Sequence, residues 1–392
     1  MHSFRSSRSS RSFLATLSVC AAALFVSGCG SGDHHSDDER SIGSLRLIGE
    51  QRLAFKQPLQ NTVIGGLSGI DYDPVGRGWI VISDDRSDNS PARFYSVKLA
   101  YEAQSFSSLT VDGVTLFKQA DGSPYPNGTT WDATRAGEVP DLESIRFDPK
   151  DSSIWYTSEG DRSRAIAPST RHADATGALS SVLPTPPMFA MRPTQEVGPR
   201  NNMAFEGLSF SADGNTLWVS LESALYEDGP VATTAAGTVS RFTQYDRNGG
   251  IVRQIAYPID PIPVAPGPGK YGDNGVSEIL AINDEQLLVI ERSGSQAADD
   301  AFSFHIRLYE VDTRDATDVR AMASLQNGGY TPAKKRLILD LDKLGLARVD
   351  NIEGATWGPK LANGHDSLVL VSDDNFNSTQ VTQFLAFEVL PK

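Results

Sequence analysis

A short apolar run, a polar turn and a second apolar run follow one another five times along the chain. The second run of each copy is rich in Trp, Ile, Val and Leu. This pattern is typical of a β-hairpin, and pairs such as Asp213–Gly214 and Asn363–Gly364 favour tight turns between the two strands. The five copies span residues 66–85, 141–160, 204–223, 275–294 and 351–375.

The spacing of the hairpins predicts the architecture. The copies begin about 63 to 76 residues apart, and further strand-like runs lie between them at 92–101, 238–259, 303–312 and 382–390. Repeats of about four strands at this spacing predict an all-β fold, a β-propeller in which each hairpin supplies the inner strands of a blade. Several separate sandwich domains are the alternative, although no linker divides the chain after Ser44.

We expect the propeller to have six blades. The five hairpins account for five of them. The sixth would come from the region 100–135, or from residues 45–55 pairing with the C-terminal strand to close the ring.

Acidic residues stand at one end of these hairpins. Four first strands open with a glutamate: Glu143, Glu206, Glu278 and Glu353. The second strands end in Asp84, Asp85, Glu159, Glu222, Glu291, Asp373 and Asp374. We expect the acids of one hairpin, such as Glu143 and Glu159, to lie opposite each other. Like charges in that position destabilise a strand pair, so the arrangement requires a compensating feature.

A bound cation is the simplest compensating feature. Ca²⁺ takes carboxylate oxygens at roughly 2.3–2.6 Å, and opposed strand positions about 5 Å apart can bring two carboxylates onto one ion. We therefore interpret the strand-end acids as Ca²⁺ ligands and the four glutamates as ligands or a general base. Two alternatives stay open: arginines such as Arg86 and Arg292 neutralise the acids, or the acids cap strand ends and loop amides.

Three long segments rich in Pro and Gly enter the predicted blades at this same end. They are residues 121–140, 168–202 and 258–275. Loops of that length are usually functional or disordered, and a scaffold presents binding residues on its loops. The acids and the loops therefore predict a functional site on one face of the propeller, around its central channel.

Three of the acidic motifs resemble those of a known family. Leu142-Glu143-Ser144, Phe205-Glu206-Gly207 and Ile352-Glu353-Gly354 are similar to motifs of the phytase-like family of secreted bacterial proteins, described as "esterase-like activity of phytase". The resemblance covers about residues 60–390 and implies a propeller that hydrolyses phosphate esters. Two signatures of the calcium-dependent propeller phytases, D-A-x-D-D-P-A and N-N-x-D-x-R, are absent from the sequence.

Two kinds of function follow from the acids and the resemblance. In the first, carboxylate-held Ca²⁺ promotes hydrolysis of a phosphate ester or a related ester, while Arg86 and Arg292 contact the phosphate. In the second, the propeller is not catalytic. Its cations only rigidify the ring, and its acidic face binds a ligand or a partner protein.

The N-terminus predicts export and lipid anchoring. Three arginines precede an apolar run at 13–26, which is too short to span a bilayer and is typical of a signal peptide. Val26-Ser27-Gly28-Cys29 resembles the bacterial lipobox, which implies a lipoprotein signal peptide at 1–28 and lipidation of Cys29. An ordinary secretory peptide cut near Gly28 is the alternative. Residues 29–44 would form a flexible tether before a domain at 45–392. The residue after Cys29 is not Asp, which by resemblance to the usual sorting rule of bacterial lipoproteins favours the outer membrane of the cell envelope.

Charge limits the partners that we expect. The net charge of −14 becomes −17 when residues 1–28, with three arginines and no acid, are removed. Such a balance argues against nucleic acid or anionic lipid as a partner. We therefore expect a monomer that takes a small-molecule ester substrate and touches the membrane only through its lipid anchor. Since Cys20 leaves with the signal peptide and Cys29 carries lipid, no disulfide is expected.

Overall fold

Antiparallel strands dominate the computed structural model, which describes residues 40–134 and 137–392. The predicted signal peptide, Cys29 and residues 29–39 of the predicted tether lie outside the described residues. The described residues contain four single turns of 3₁₀ helix, at Arg162–Arg164, Pro187–Phe189, Tyr226–Asp228 and Leu341–Lys343. Within the described ranges, no helix is long and apolar enough to cross a membrane.

In the described part of the chain, the strands form five four-stranded sheets and one short hairpin. Strand β1 is Ser44–Arg52, and the hairpin consists of β2 (Pro58–Leu59) and β3 (Thr62–Val63). The first sheet contains β4 (Leu67–Asp73), β5 (Gly78–Ser83), β6 (Arg93–Glu102) and β7 (Ser105–Leu116). The second contains β8 (Leu142–Phe147), β9 (Ile154–Ser158), β10 (Ser169–Ala173) and β11 (Leu179–Val182).

The remaining three sheets have the same order. The third contains β12 (Phe205–Phe210), β13 (Thr216–Leu221), β14 (Thr238–Asp246) and β15 (Ile251–Ile259). The fourth contains β16 (Gly275–Ala281), β17 (Gln286–Gln296), β18 (Phe302–Asp312) and β19 (Lys334–Asp340). The fifth contains β20 (Asn351–Trp357), β21 (Ser367–Asp373), β22 (Gln383–Leu390) and, as its outer strand, β1.

The first strands of the sheets surround a central axis. β4 contacts β8 and β20, β12 contacts β8 and β16, and β16 contacts β20, so the five first strands close a ring. The predicted β-propeller is therefore confirmed, with each sequence hairpin forming the two inner strands of a blade. The predicted number of blades is wrong: five blades are present. The region expected to supply a sixth contains β7, the outer strand of the first blade, and β1 completes the fifth blade.

Apolar side chains hold neighbouring blades together. Among the described residues, five of the six buried clusters each join one blade to the next around the ring, and the sixth is a small group of Ala256, Val319 and Leu325. Between the fourth and fifth blades, for example, Leu280 and Ile306 pack with Leu368 and Phe387. Burying one such side chain contributes about 1.5–3 kcal/mol, so these seams supply the main stabilisation of the ring.

The outer strands are more polar than the inner ones, and most of them were not evident in the sequence. The segment 168–202, expected to be an irregular loop, contains β10 and β11. Residues of β11 and β19 are largely exposed or half-buried, so they lack the apolar alternation that marks a strand in a sequence.

Strand β1 closes the ring by joining the two ends of the described chain. It pairs antiparallel with β22 from Ser44↔Leu390 to Arg52↔Gln383. Ile42 is fully buried, and the Gly43 N–H donates to the Leu390 carbonyl at 2.7 Å. The packed unit therefore begins at Arg40, a few residues before the predicted domain start at residue 45.

We expect the propeller to depend on this closure. A chain that begins at residue 53 lacks β1 and leaves the edge of β22 and part of the seam with Leu45 uncovered. We predict that it unfolds at a markedly lower temperature than a chain that begins at residue 40, measured by circular dichroism. Equal melting temperatures for the two chains would show that β1 is dispensable.

Candidate functional site

A β-bulge interrupts the first strand of every blade at the same end of the ring. In the second blade the register shifts between Leu142 and Ile145, so Glu143 lies within the bulge. The other four blades shift at the matching place. The bulged positions are Ser68, Glu143, Glu206, Ser277 and Glu353. A bulge bends the strand and redirects a side chain, which is why such features are frequent beside active sites.

The second strand of each blade contributes one residue at the same level. The Glu159 N–H donates to the Asp141 carbonyl at 2.8 Å, so Glu159 lies opposite Asp141. The expected pairing of Glu159 with Glu143 is wrong, because the bulge displaces Glu143 from the ladder. The equivalent second-strand positions are Asp84, Glu159, Glu222, Arg292 and Asp373.

These positions bring eight carboxylates together at one mouth of the channel. Carboxylate oxygens lie within 4.8 Å of one another in three groups: Asp84, Glu353 and Asp373; Asp141, Glu143 and Glu159; Glu159, Glu206 and Glu222. Glu159 belongs to two groups and links the second blade to the third. We name these eight residues, Asp84, Asp141, Glu143, Glu159, Glu206, Glu222, Glu353 and Asp373, the acidic ring.

Burial and mutual repulsion make ionisation of the acidic ring costly. Burial, and then the neighbouring carboxylates, raise the pKa well above the ordinary range in Asp84, Glu143, Glu159, Glu206 and Asp373. Burial raises the pKa of Asp141 to about 7 and that of Glu222 to about 8, although an arginine beside each opposes the shift. The site therefore favours either bound protons or bound cations.

One arginine replaces an acid in this circle. Arg292 of the fourth blade forms ion pairs with Glu222 at 2.9 Å and Asp273 at 3.1 Å, and it lies 3.8 Å from Glu353. Arg86, outside the ring, pairs with Asp141 at 3.3 Å. In the part of the chain that the structure describes, five ring carboxylates have no ion pair: Asp84, Glu143, Glu159, Glu206 and Asp373.

The acidic ring fits a divalent cation. Two oxygens bound to one Ca²⁺ at about 2.3–2.6 Å lie at most about 5 Å apart, and each of the three groups meets that limit. Carboxylate oxygens are the ligands that such hard cations prefer. Clusters of acidic residues that can hold a metal are thus present at the predicted end of the propeller.

Two predicted site residues, Glu278 and Glu291, do not join the ring. Glu278 pairs with Arg146 at 2.8 Å and accepts hydrogen bonds from the Ser144 hydroxyl. Glu291 accepts a hydrogen bond from the Tyr257 hydroxyl and pairs with Lys335. Each lies one residue away from the ring position of the fourth blade, and a shift of one residue on a strand moves a side chain to the other face.

Two further predicted ligands, Asp85 and Asp374, accept hydrogen bonds from backbone groups of neighbouring loops. Asp85 pairs with the buried Arg93 at 2.8 Å and accepts three backbone N–H groups from residues 88–90. Asp374 accepts the N–H groups of Gly66 and Phe376, both at 3.0 Å. Their oxygens are therefore used in structural hydrogen bonds, as the capping alternative predicted.

The sequence reasoning missed Asp141 as a site residue. The signal was present, because Asp141 is the first residue of the second repeat copy. Its role became visible only with the register, which places it opposite Glu159.

A cleft of about 1300 Å³ opens at the acidic mouth, with Glu222, Arg292 and Glu353 at its base. Its outer part holds three hydrogen-bonded side chains. The Ser303 hydroxyl lies 3.2 Å from Nε2 of His305, and Nδ1 of His305 lies 2.7 Å from the Asp342 carboxylate. The Ser303 hydroxyl is also within 3.4 Å of the Ser295 carbonyl, and its residue is exposed. We interpret these side chains as a polar network at the rim.

A family model described as "Esterase-like activity of phytase" matches residues 62–376, which is 315 of the 392 residues. The chain belongs to this phytase-like family. No curated protein matches the sequence of this phytase-like propeller.

Solved structures with a similar course of the chain include three enzymes. A gluconolactonase from Xanthomonas campestris is 12% identical, with 89% of this chain and 97% of that chain covered and a TM-score of 0.33. A glucose dehydrogenase is 12% identical over 88% and 100%, with a TM-score of 0.36. A GH62 α-L-arabinofuranosidase catalytic domain from Coprinopsis cinerea is 8% identical over 89% and 98%, with a TM-score of 0.36. Similarity at this level says nothing about the activity of the phytase-like propeller.

The raised pKa values predict how the stability of the cation-free protein depends on pH. A carboxyl whose pKa is raised by folding binds more protons in the folded state than in the unfolded state. The free energy of unfolding therefore falls as the pH rises from about 4, the pKa in the unfolded chain, to the pKa in the folded protein. With pKa values of about 7 for Asp141 and about 8 for Glu222, we expect melting temperatures in EGTA to fall between pH 5 and pH 8.

The Glu206→Gln variant tests the source of this decline. It removes one titrating group with a raised pKa, so its melting temperature should fall less steeply over the same range. Carboxyls with a lowered pKa, such as Glu388 at about 2, act only at lower pH. A wild-type protein that is equally stable at pH 5 and pH 8 without cations would contradict the expectation.

Proposed function

We propose that this phytase-like propeller is a calcium-dependent hydrolase of phosphate esters or related esters. The observation that carries the proposal is the acidic ring, in which five carboxylates have no ion pair within the described residues. Two further acids of the ring, Glu222 and Glu353, line the cleft. Uncompensated buried carboxylates are destabilising unless protons or cations accompany them. A site retained at that cost is a candidate for function.

The residues of the acidic ring would have different roles in the reaction. When bound, Ca²⁺ polarises a phosphoryl oxygen and lowers the pKa of an attacking water. Glu159, shared by two of the carboxylate groups, would hold two ions close together. Within the described residues no group donates a hydrogen bond to the Glu206 carboxylate, which leaves it available as a ligand or as the general base.

Arginine supplies fixed positive charge beside the ring. Arg292 is anchored by Glu222 and Asp273, and its Nε has no recorded partner although the atom is buried. Its anchored guanidinium would steady the negative charge of a phosphoryl group at the base of the cleft. Arg86 lines a separate pocket of about 400 Å³ with Asp161 and Arg164, and it does not line the cleft that contains Arg292.

A non-catalytic propeller is the alternative, in which cations at the acidic ring only rigidify the fold. Both functions predict that cations stabilise the protein. Only the hydrolase predicts turnover that is lost when a ring acid changes and the fold survives.

The test compares one ring acid with one buried acid outside the ring. Glu206→Gln should reduce the rise in melting temperature caused by Ca²⁺ and should lower hydrolysis of a phosphomonoester at least about 10²-fold, in line with loss of a general base or a metal ligand. Glu291→Gln should lower the melting temperature equally with Ca²⁺ and with EGTA, because Glu291 contacts Tyr257 and Lys335 instead.

Two outcomes would decide against the hydrolase. If the wild-type protein gains stability from Ca²⁺ but hydrolyses neither phosphomonoesters nor phosphodiesters, the non-catalytic function is supported. If Ca²⁺ changes neither stability nor turnover, the acidic ring is not a calcium site.

We also propose that the protein is anchored at the outer membrane through Cys29, facing the periplasm or the exterior. The support is the lipobox-like Val26-Ser27-Gly28-Cys29 after a short apolar run. Two or three acyl chains on one cysteine anchor a protein stably, whereas a single chain binds marginally. Expressed in bacteria with an alkyne fatty acid, the protein should incorporate label and sediment with membranes. Cys29→Ala should abolish both, and a labelled variant would overturn the proposal.

A further inference from the structure

One hairpin extends the wall of the cleft beyond the acidic ring. Strand β17 has 11 residues, whereas the second strands of the other blades have five to seven. It continues past the ring position of Arg292 to Gln296 and returns as β18 from Phe302. The tip of this hairpin therefore stands above the mouth of the channel.

The register of the hairpin places aromatic rings in line with Arg292. Its antiparallel pairs are Arg292↔Ile306, Gly294↔Phe304 and Gln296↔Phe302. Directly paired residues and alternate residues of a strand share a face of the sheet. Arg292, Phe304 and Phe302 consequently lie on one face and follow one another outward from the ring.

These rings form a continuous aromatic surface in the cleft. The ring centroids of Phe302 and Phe304 are 6.1 Å apart, and those of Phe302 and Tyr271 are 6.3 Å apart. We name Tyr271, Phe302 and Phe304 the aromatic wall. Gly294, opposite Phe304, has no side chain, and a Cβ there would lie 3.7 Å from Phe302 and 3.8 Å from Phe304. Because it has no side chain, Gly294 adds no atoms against these two rings.

Two residues of this wall are exposed to solvent inside a cleft. Tyr271 is 50% exposed and Phe302 is 46% exposed, and both line the cleft, whereas similarly exposed residues such as Phe55 and Leu337 do not. The Tyr271 hydroxyl donates to Asp273 at 2.9 Å, and Asp273 binds Arg292, so the wall is joined to the base of the cleft. Exposed apolar surface that lines a cleft beside a few charged groups is characteristic of a ligand site.

The charge of the cleft argues against a polyanionic substrate. Asp299, Asp300 and Asp342 line the outer part of the cleft, and Arg348, which also lines it, is already paired with Asp350 at 2.6 Å. A ligand with phosphates on all sides would place several of them against these carboxylates. A ligand with one anionic group and one apolar group fits this cleft, because the anionic group can lie at Arg292 while the apolar group lies against the aromatic wall.

We propose that the aromatic wall binds the alcohol portion of the substrate, and that the substrates are phosphomonoesters of aromatic or other bulky apolar alcohols. The inference rests on the proposed function, because the phosphoryl group must be held at the acidic ring and Arg292. The apolar group then stacks on Phe302 and Phe304 while the phosphoryl group remains at the base.

Binding of two non-hydrolysable probes tests the wall without requiring turnover. Phenylphosphonate and methylphosphonate present the same anionic group, but only the first has a ring. In the presence of Ca²⁺, titration calorimetry should show about tenfold tighter binding of phenylphosphonate, the effect expected of an aromatic contact with its buried area. Phe302→Ala should remove most of this difference and leave the affinity for methylphosphonate unchanged.

Phe55→Ala is the matched control. Phe55 is an exposed phenylalanine that does not line the cleft, so the variant should keep the preference for the phenyl group. A wild-type protein that binds both probes equally, or a Phe302→Ala variant that keeps the preference, would overturn the inference while leaving the proposed function intact. Failure of both probes to bind, with or without Ca²⁺, would instead overturn the proposed function.

Discussion

Repulsion among the carboxylates of the acidic ring is the constraint that the rest of the structure must overcome. Eight acids meet at one mouth of the channel, and burial raises the pKa of each of them. Such a group of charges does not assemble by its own interactions. The five apolar seams between blades bring the acids together, and β1 keeps the ring of blades closed around them.

The fourth blade breaks the symmetry of the site. Where the second, third and fifth blades provide a bulged glutamate and a strand-end acid, it provides Ser277 and Arg292. The same blade carries the long hairpin that bears the aromatic wall. One blade thus supplies the positive charge and the apolar surface, and the other blades supply the carboxylates. A substrate with unlike ends would therefore bind in a single orientation.

The sequence predicted the inner part of the propeller and much of the site. The inner hairpins follow directly from alternation of apolar residues, and seven of the eight ring acids were predicted from them. The outer strands were harder to predict, because β11 and β19 face solvent and their pattern is set by neighbours that are distant in the chain. The pairing of residues 45–55 with the C-terminal strand, offered as one source of a sixth blade, is present, but it completes the fifth blade. The predicted number of blades was wrong because this strand and β7 were assigned to an additional blade, whereas they are the outer strands of the fifth and first blades.

The wrong site residues were predicted because the nearest acid in each repeat copy was chosen, and not the residue at the equivalent position of the copy. Glu278 and Glu291 are the nearest acids in the fourth copy, whereas the residues equivalent to those of the other blades are Ser277 and Arg292. A bulge changes which residues face each other, and its place is fixed by contacts between blades that the sequence does not display. Alignment of the copies on their apolar residues, Leu142 with Val276 for example, recovers the equivalence.

The small number of blades determines how close the acids come. Just after the bulge, a Cβ on Gly69 would lie 2.6 Å from the Glu143 carbonyl oxygen, and one on Gly354 would lie 2.7 Å from that of Ser68. The first strands of neighbouring blades therefore approach to backbone contact, which only residues without a side chain permit. Adding a sixth blade would widen the channel and separate carboxylates that now share one group, such as Glu353 with Asp84. The five-bladed ring and its glycines thus set the distance between carboxylates that different blades contribute to the acidic ring.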